Sequence, residues 1–210
     1  MNVWDMVFKN GNYLFTEPEW CVRRFAELAK IRNLNRILDL GCGAGRHVVF
    51  LAKHGFETHG LDISIEALKI CQSRLKNEGI EPLLVQANMS DLPYPNGFFD
   101  GVIAIAAVYH LKLAELKQTI DEIHRILKPG GLLLIEFKSK QSHSYGFGVE
   151  IEKDTFVQVE GVETGIPHHY SDRPEIETLM SKFNIFEINH LERISEGIYR
   201  SSKWEVWAEK

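Results

Sequence analysis

Three glycines in a run of eleven residues carry the strongest chemical signal in the sequence. The run ILDLGCGAGRH occupies residues 37–47 and places Gly41, Gly43 and Gly45 directly after a short apolar stretch. Because glycine has no side chain, the backbone there can approach a bound molecule closely. A helix that begins at Gly45 would add free N–H groups that favour an anionic group such as a carboxylate. A tight strand-to-helix turn without any ligand is the alternative interpretation.

Two aspartates are expected beside these glycines, and each suits a different part of a ligand. Asp62 ends the next apolar stretch, 21 residues after Gly41, where a carboxylate can accept hydrogen bonds from both hydroxyls of a ribose. It could also cap a helix that begins near Ser64. Asp39 would repel a pyrophosphate and suits a cationic group such as an α-amino group. The spacing G-x-G-x-G also departs from the G-x-G-x-x-G of nicotinamide-dependent oxidoreductases.

A third polar run, NMSDLP at residues 88–93, follows another apolar stretch. The side-chain oxygen of Asn88 can accept a hydrogen bond from the N6 amine of adenine, and the backbone N–H of Met89 can donate to a ring nitrogen. A plain turn is an equally good interpretation of this run. Cys42 lies inside the glycine run but close to Asp39, which does not favour a thiolate, so we interpret it as a small filler side chain.

The apolar periodicity indicates the elements that position these residues. Helices are predicted at residues 18–31, 45–54, 64–78, 113–127 and 174–183. Strands are predicted at residues 37–40, 58–61, 83–87, 101–108, 132–137, 156–159, 185–194 and 203–207. Strands and helices alternate through the first two thirds of the chain, which is typical of a parallel sheet with helices on both faces. The last two strands, joined through Glu196 and Gly197, are predicted to form an antiparallel hairpin at the sheet edge.

Four motifs, taken in order, resemble the class I (Rossmann-like) S-adenosylmethionine-dependent methyltransferases of the small-molecule type. They are LDLGCGAGRH at 38–47, LDIS at 61–64, ANMSDLPYPNGFFD at 87–100 and ILKPGG at 126–131. The similarity runs from about residue 36 to residue 137, roughly half the chain. It implies an α/β fold, a three-layer Rossmann-like sandwich with a seven-stranded, mostly parallel sheet. The implied strand order is 3-2-1-4-5-7-6, with strand 7 antiparallel.

Residues 1–210 are accordingly expected to form a single methyltransferase domain. Four segments of this domain have different expected roles. They are an N-terminal helical cap at 1–35, a cofactor-binding core at 36–138, a substrate-side insertion at 139–173, and a C-terminal helix and hairpin at 174–210.

The resemblance also implies which residues surround S-adenosylmethionine and its product, S-adenosylhomocysteine. These are Asp39, Gly41, Cys42 and Gly43 at the methionine portion, Asp62 at the ribose, Ile63, Asn88 and Met89 at the adenine, and Ala106, near the end of strand four, at the methionine amine. The family often has aspartate where this chain has Asn88. Asparagine keeps the acceptor oxygen and adds a donor, so adenine binding is expected to survive the exchange.

Tyr109 and His110, which follow strand four, are the candidate catalytic residues. Ligands gather at this edge in open α/β sheets. Methyl transfer from a sulfonium is an in-line displacement from an activated donor, so the protein mainly supplies alignment and exclusion of water. A general base is needed only if the acceptor atom starts out protonated. A loop histidine that packs on its neighbours is the alternative for His110.

Two aromatic regions outside the motifs are expected to select the acceptor and to cover the reacting centre. Aromatic faces there would favour the positive sulfonium, and packing on the sheet edge is the alternative. The N-terminal region contributes Trp4, Phe8, Tyr13, Phe15 and Trp20. The second region, residues 142–170, contributes Tyr145, Phe147, Phe156, His168, His169 and Tyr170.

The composition favours a small-molecule substrate over a nucleic acid. The net charge is −5, whereas proteins that bind nucleic acid through phosphate contacts usually have a basic surface. The three cysteines form no CxxC pair. His168 and His169 are adjacent, so their side chains alternate in an extended segment, and a metal site that they form with His143 and Asp172 is the alternative. No metal site is predicted. Without a signal peptide or a long apolar run, the expected location is cytoplasmic, away from membranes.

Two other functions fit the same cofactor residues. The acceptor could be RNA or a protein, although residues 106–110 read AAVYH and contain no NPPY-type motif of amino-group methylation. The chain could also bind S-adenosylmethionine without catalysis. The sequence names neither the acceptor atom nor the oligomeric state.

Overall fold

A computed structural model describes residues 2–195 and 198–210, which contain six helices and ten strands. The helices are α1 (Val3–Lys9), α2 (Trp20–Ile31), α3 (Arg46–Lys53), α4 (Ile65–Asn77), α5 (Leu113–Ile126) and α6 (Arg173–Leu179). The strands are β1 (Arg36–Leu40), β2 (Glu57–Asp62), β3 (Leu83–Gln86), β4 (Phe99–Ala104), β5 (Leu127–Ser139), β6 (Val149–Glu152), β7 (Thr155–Val157), β8 (Pro167–Ser171), β9 (Asn184–Ser195) and β10 (Ile198–Glu209). None of the described helices has the length and apolar character needed to cross a membrane.

The main sheet has the strand order β3-β2-β1-β4-β5-β10-β9. The first five strands in this order are parallel. Strand β10 is antiparallel to both β5 and β9. The order is the predicted 3-2-1-4-5-7-6, with β10 as the antiparallel seventh strand and β9 as the sixth, so the predicted fold class is confirmed. The predicted link through Glu196 and Gly197 lies outside the described residues.

Successive residues of the central strands pack on opposite faces of the sheet, as the pleat requires. Leu38 of β1 and Leu133 of β5 belong to a core cluster that also contains residues of α5. Ile37 and Leu132, their neighbours in sequence, belong to a second cluster with residues of α2 and α3. The sheet is therefore covered on both faces, which gives the three layers implied by the sequence resemblance.

Strand β4 ends earlier than predicted. The sequence predicts a strand at 101–108, but β4 is Phe99–Ala104 and a 3-10 turn follows at Val108–His110. Ala106 between them has a φ of 53°. A residue in the left-handed region cannot continue a strand, so the chain turns there. Ala106 consequently lies beyond the end of β4 rather than within it.

The sequence pattern misses α1 and most of a small second sheet formed by β6, β7 and β8. Helix α1 has only seven residues and begins with a capping box between Asn2 and Asp5. Strand β8 reads PHHYS, which has no apolar alternation. Two residues of β8, Tyr170 and Ser171, nevertheless pair in parallel with the end of β5. The small sheet thereby places the 139–173 segment beside the carboxyl ends of the central strands.

Two carboxylates face each other within the sheet, where β5 pairs with β10. Glu136 and Glu205 are register partners and are 1% and 0% exposed. The ammonium of Lys203 forms an ion pair with Glu136. Burial raises the pKa of Glu136, and the Lys203 charge opposes that rise. The ion pair therefore stabilises the charged form of Glu136, one of two carboxylates that have little access to solvent.

Replacing Lys203 by methionine is expected to lower the free energy of unfolding by on the order of 3 kcal/mol, because a buried carboxylate loses its counter-charge. Urea denaturation at neutral pH measures this change. The matched control is Lys182→Met, which breaks a pair with Asp121 whose side chains are 57% and 59% exposed. That loss should stay below ~1 kcal/mol. Equal losses in the two variants would show that the Glu136–Lys203 pair does not stabilise the sheet.

Candidate functional site

A cavity of about 1010 Å³ opens at the carboxyl ends of the parallel strands. The loops after β1, β2, β3 and β4 form its floor, and α1 and the segment before α2 form another wall. The volume is at the upper end of the ~300–1,000 Å³ typical of ligand sites. Of the residues predicted to bind the cofactor or to act in catalysis, those that line the cavity are Gly41, Cys42, Gly43, Asp62, Ile63, Asn88, Met89, Ala106, Tyr109 and His110.

The glycine loop after β1 has a backbone that other residues would adopt only with strain. Gly41, Gly43 and Gly45 have φ values of +75°, +52° and +83°. A Cβ atom on Gly41 would lie 2.5 Å from the Cβ of Ala107, and one on Gly43 would lie 3.1 Å from Cζ of Phe8. The loop therefore needs glycine for two reasons, its left-handed backbone and the close packing of the next loop and of α1.

Asp62 links this loop to the loop after β2. Its Oδ2 accepts a hydrogen bond from the backbone N–H of Gly43 at 2.8 Å, and its Oδ1 accepts one from the N–H of Ser64 at 2.8 Å. The N-cap of α4 is Ser64, whose side chain accepts from the N–H of Ala67. The capping role that was considered for Asp62 thus belongs to Ser64. Each Asp62 oxygen keeps a further lone pair for another donor.

Asp39 lies close to the cavity but does not line it. Its carboxyl group is 1% exposed, and Oδ2 has no hydrogen-bond partner among the described residues. Burial raises the pKa of Asp39 to about 7, while Arg46 acts to lower it and Asp62 adds to the rise. The nearest basic atom is Nδ1 of His47, at 3.9 Å from Oδ2. An unpartnered buried carboxylate beside a cavity can accept a cationic group.

The loops after β2 and β3 present an apolar side chain and an amide to the cavity. Ile63 is 38% exposed there. The Oδ1 atom of Asn88 accepts a hydrogen bond from the N–H of Ser90 at 3.0 Å. This bond is the plain turn considered in the sequence, yet Asn88 and Met89 both line the cavity. The turn and a ligand contact are therefore compatible at this position.

The cysteine in the glycine loop has an unreactive thiol. Cys42 is 6% exposed, and the neighbouring Cys71 thiol together with burial raises the pKa of the Cys42 thiol well above its ordinary value. A thiol that holds its proton is a poor nucleophile. This environment supports the interpretation of Cys42 as a filler side chain.

Tyr109 and His110 stand on the 3-10 turn after β4. Burial raises the pKa of Tyr109 well above its ordinary value, so its hydroxyl keeps its proton. A role of Tyr109 as general base is therefore disfavoured. Burial, with His168 as the next cause, lowers the pKa of His110 to about 3. The His110 ring is therefore neutral at physiological pH. It packs against Trp4 with a centroid distance of 4.9 Å.

The two aromatic regions behave differently. All five N-terminal aromatics named from the sequence line the cavity. In the second region, the rings of Tyr145, Phe156 and Tyr170 pack on one another with centroid distances of 5.4 to 5.9 Å and do not line the cavity. The alternative of packing at the sheet edge applies there. The cavity-lining residue that this region does contribute is Glu163, which the sequence analysis did not select.

Helix α1 is the largest part of the site that the sequence analysis missed. Asp5 accepts a hydrogen bond from the hydroxyl of Ser64 at 2.8 Å, and Asn2 donates to the carbonyl of Ile63 at 2.9 Å. These bonds fix α1 on the loop after β2. The signal available in the sequence was the capping box, an asparagine followed three residues later by an acidic side chain.

The chain is similar to known methyltransferases in sequence and in fold. Residues 38–135 match the family model described as a methyltransferase domain. An uncharacterized methyltransferase from Synechocystis sp. is 38% identical over 100 residues, which cover 48% of this chain and 45% of the relative. The demethylmenaquinone methyltransferase of Thermus thermophilus is 32% identical over 127 residues, which cover 59% and 57%. The chain thus spans about half the length of these curated relatives.

Solved structures extend the comparison to nearly the whole chain. A crystal structure of an S-adenosylmethionine-dependent methyltransferase from Methanosarcina mazei gives a TM-score of 0.73 at 24% identity, covering 86% of this chain and 96% of that one. At this identity the likeness shows the fold. Residues 38–135 therefore match a methyltransferase domain, and the chain has the fold of the class I S-adenosylmethionine-dependent methyltransferases, as the sequence motifs predicted.

Proposed function

We propose that the cavity binds S-adenosylmethionine and that the protein transfers its methyl group to a small-molecule acceptor. The observation that carries this proposal is the link between Asp62 and the glycine loop. The carboxylate holds the N–H of Gly43 at 2.8 Å and faces the same cavity. A sugar diol on Asp62 and an apolar or zwitterionic group on the loop would therefore bind side by side.

The residues present fit the three parts of this cofactor. The unpartnered Oδ2 of Asp39 offers a negative charge for the α-ammonium, and Gly41 lets the loop pack against Ala107, where a side chain would not fit. Asp62 has lone pairs left for the ribose hydroxyls. Ile63 and Asn88 offer an apolar contact and an amide to the adenine.

The remaining proposed contacts complete the cofactor site. Met89 would donate its backbone N–H to the adenine ring, while Cys42 and Gly43 lie along the methionine portion. The chain reverses at Ala106, whose N–H donates to Glu136 at 3.2 Å. This bond fixes the turn after β4 at the place where its carbonyl would meet the methionine amine.

The bound cofactor supplies an electrophilic methyl group on a sulfonium, and the chain's own residues align the acceptor with it and exclude water. Trp4 and Phe8 of α1, with Phe15 and Trp20, cover the cavity, and their faces favour positive charge. Tyr109 keeps its proton and can donate a hydrogen bond to the acceptor. His110 is neutral and lies beside Trp4, where it would contact the acceptor.

A small molecule is the acceptor that suits this site best. The cavity has room for the cofactor and a second molecule of modest size, and aromatic residues of the N-terminal segment close one side of it. The net charge of −5 disfavours a nucleic acid, which would need a basic surface.

Turnover with methyl-labelled S-adenosylmethionine against a panel of small metabolites tests the proposal. We expect label in at least one small product, together with formation of S-adenosylhomocysteine. Label that appears only in added RNA or protein would assign a macromolecular acceptor. Binding of the cofactor without any transfer would favour a non-catalytic binding protein.

The affinity for S-adenosylhomocysteine is expected to rise with pH between about pH 5 and pH 7. Burial raises the pKa of Asp39 to about 7, so the free protein holds a proton there that a bound ammonium would expel. The rise should be tenfold per pH unit at most, because a single proton is released. The ammonium itself, with a pKa near ~8 or above, stays charged over this range.

Calorimetric titrations at several pH values, in two buffers with different ionisation enthalpies, measure both the affinity and the proton release. The pKa of Asp62 is also raised by burial, so Asp39→Asn is the variant that separates the two groups. It should bind more weakly at pH ~8 and lose most of the pH dependence. An unchanged pH profile in Asp39→Asn would show that Asp39 does not meet the ammonium.

A further inference from the structure

Three side chains that could ligate a metal meet at one side of the cavity. The Nε2 atom of His168 lies 3.0 Å from Oε2 of Glu163, and Nε2 of His110 lies 3.9 Å from Oε1 of the same carboxylate. One ligand atom from each of the three lies within 4.8 Å of the other two. We propose that His110, Glu163 and His168 bind a divalent transition-metal ion of the Zn²⁺ type, with one coordination position open to the cavity.

The distances are close to those that a metal requires. Zinc binds imidazole nitrogen and carboxylate oxygen at about 2.0–2.2 Å, so ligand atoms at tetrahedral angles are about 3.4 Å apart. The observed separations of 3.0 and 3.9 Å lie on either side of this value. The two distances end on different oxygens of the Glu163 carboxylate, so each histidine faces its own oxygen in the metal-free protein. Two histidines and one glutamate are also a ligand set found in catalytic zinc sites.

The ring nitrogens of the two histidines have unmet bonding capacity. His168 is 1% exposed, its Nδ1 has no partner among the described residues, and its Nε2 meets the Glu163 carboxylate at 3.0 Å. The Nδ1 atom of His110 is likewise buried without a partner. Buried polar atoms in native proteins are nearly always bonded, so an orphaned imidazole next to a carboxylate calls for a ligand. A metal ion in the cluster would bind Nε2 of His168 and Nε2 of His110, the two ring nitrogens that face the Glu163 carboxylate.

The neighbouring histidine shows what a structural histidine looks like in this fold. His169 is as buried as His168, but its Nδ1 lies 2.8 Å from the hydroxyl of Thr155 and its Nε2 lies 3.2 Å from Glu175. Both of its nitrogens are thus partnered within the protein. The strand alternation of β8 directs these two adjacent side chains to opposite sides. His168 is the one that reaches the 3-10 turn carrying His110, with a ring distance of 4.7 Å.

The nearby ammonium group does not occupy the ligand positions. Lys138 stands on β5, with its Nζ 5.5 Å from the ring centroids of both Tyr109 and Tyr170. These cation–π contacts hold the charge over the two rings. Burial acts to raise the pKa of the Glu163 carboxyl group, and the positive charge of Lys138 acts to lower it.

The open side of the cluster faces the space assigned to the acceptor. His110 and Glu163 line the cavity together with Tyr13 and Tyr109. Three protein ligands and an open position are typical of catalytic rather than structural zinc sites. The site would therefore accept a small thiol or hydroxyl compound as its fourth ligand, a substrate class that rests on the proposed methyltransferase function.

Methyl transfer to a metal-bound thiol or hydroxyl compound would need no reagent besides the cofactor. Coordination lowers the pKa of the S–H or O–H group, and its proton leaves to solvent. The coordinated sulfur or oxygen then forms a bond to the methyl carbon. The sulfonium–carbon bond breaks, and its electron pair stays on the cofactor sulfur as a neutral thioether.

The experiment uses untagged full-length protein, dialysed against a chelator at neutral pH and titrated with Zn²⁺ in a calorimeter. We expect one ion per chain. Glu163→Gln and His168→Ala should each weaken binding by more than the ~10–100-fold that loss of an outer-shell partner costs. Titration with Co²⁺ should give visible absorption bands typical of a four- or five-coordinate ion, and Glu163→Gln should lose them.

His143→Ala is the matched control, because His143 is exposed and stacks on Phe147 away from the cluster. It should bind Zn²⁺ as the wild type does. S-adenosylhomocysteine affinity reports on folding of each variant and separates failure of the metal site from failure of the proposed cofactor site. Absence of Zn²⁺ binding, or equal affinity in wild type, Glu163→Gln and His168→Ala, would overturn the proposal. If His168→Ala does not fold, Glu163→Gln decides.

Discussion

Replacing Asp62 by alanine is expected to weaken binding of S-adenosylmethionine by about 100-fold or more. The proposal gives this carboxylate two charge-assisted hydrogen bonds to ribose hydroxyls, each worth about 1.5–3 kcal/mol, and about 3 kcal/mol corresponds to 100-fold in affinity. The substitution also releases the N–H of Gly43, which Asp62 holds at 2.8 Å. Both effects act in the same direction, so this is the largest loss of affinity that we expect from one side chain.

Equilibrium dialysis with labelled S-adenosylmethionine measures this loss directly. Asp91→Ala is the control, because Asp91 is an exposed acid in the NMSDLP run that does not line the cavity. Its affinity should match that of the wild type. Circular dichroism establishes that Asp62→Ala is folded. A folded Asp62→Ala protein that binds as tightly as the wild type would exclude the ribose role.

Replacing Gly45 by alanine is expected to give the largest loss of stability among the glycine loop positions, about 3 kcal/mol or more. A Cβ atom there would lie 2.2 Å from Sγ and 2.9 Å from Cβ of Cys71, and 3.3 Å from its Cα. Helices α3 and α4 would have to separate, because the contacts include Cβ and Cα of Cys71 as well as Sγ, and a rotation of the thiol would not relieve them. Overpacking costs ~1–3 kcal/mol, and the left-handed backbone adds about 1–2 kcal/mol for alanine.

Gly55→Ala separates the two contributions. Gly55 has a φ of +88°, close to the +83° of Gly45, but a Cβ atom there would meet nothing within 4 Å. It should therefore show only the backbone cost of about 1 kcal/mol. Urea denaturation of both variants gives the difference as the cost of the clash. Equal losses would mean that α3 and α4 can separate at no cost, contrary to their packing here.

The sequence predicted those parts of the site that depend on local patterns. Gly41, Gly43 and Asp62 follow apolar strands at fixed spacings, and parallel strands bring their carboxyl ends to one edge. The strand order was implied by the family resemblance that the motifs carry, and the C-terminal hairpin followed from two apolar runs separated by a short polar segment. These features depend on neighbours in sequence or on rules common to open α/β sheets.

The parts that were missed depend on contacts between distant segments. Glu163 and His168 come together with His110 only because β8 joins the edge of the small sheet and pairs with the end of β5. No spacing in the sequence encodes that contact, since His110 and Glu163 are 53 residues apart. The end of β4 was misplaced for a similar reason. The run at 101–108 is apolar throughout, and the left-handed backbone of Ala106 leaves no mark on hydrophobicity.

The measurement that tests the central claim most directly is a calorimetric titration of the wild-type protein with S-adenosylhomocysteine at pH ~8, where Asp39, with a pKa of about 7, is mainly ionised. We predict saturable binding of one molecule per chain, with micromolar affinity or better. If the folded protein shows no binding of this adenosyl ligand at concentrations of about 1 mM, which corresponds to a binding free energy weaker than about −4 kcal/mol, the cavity does not have the function proposed for it.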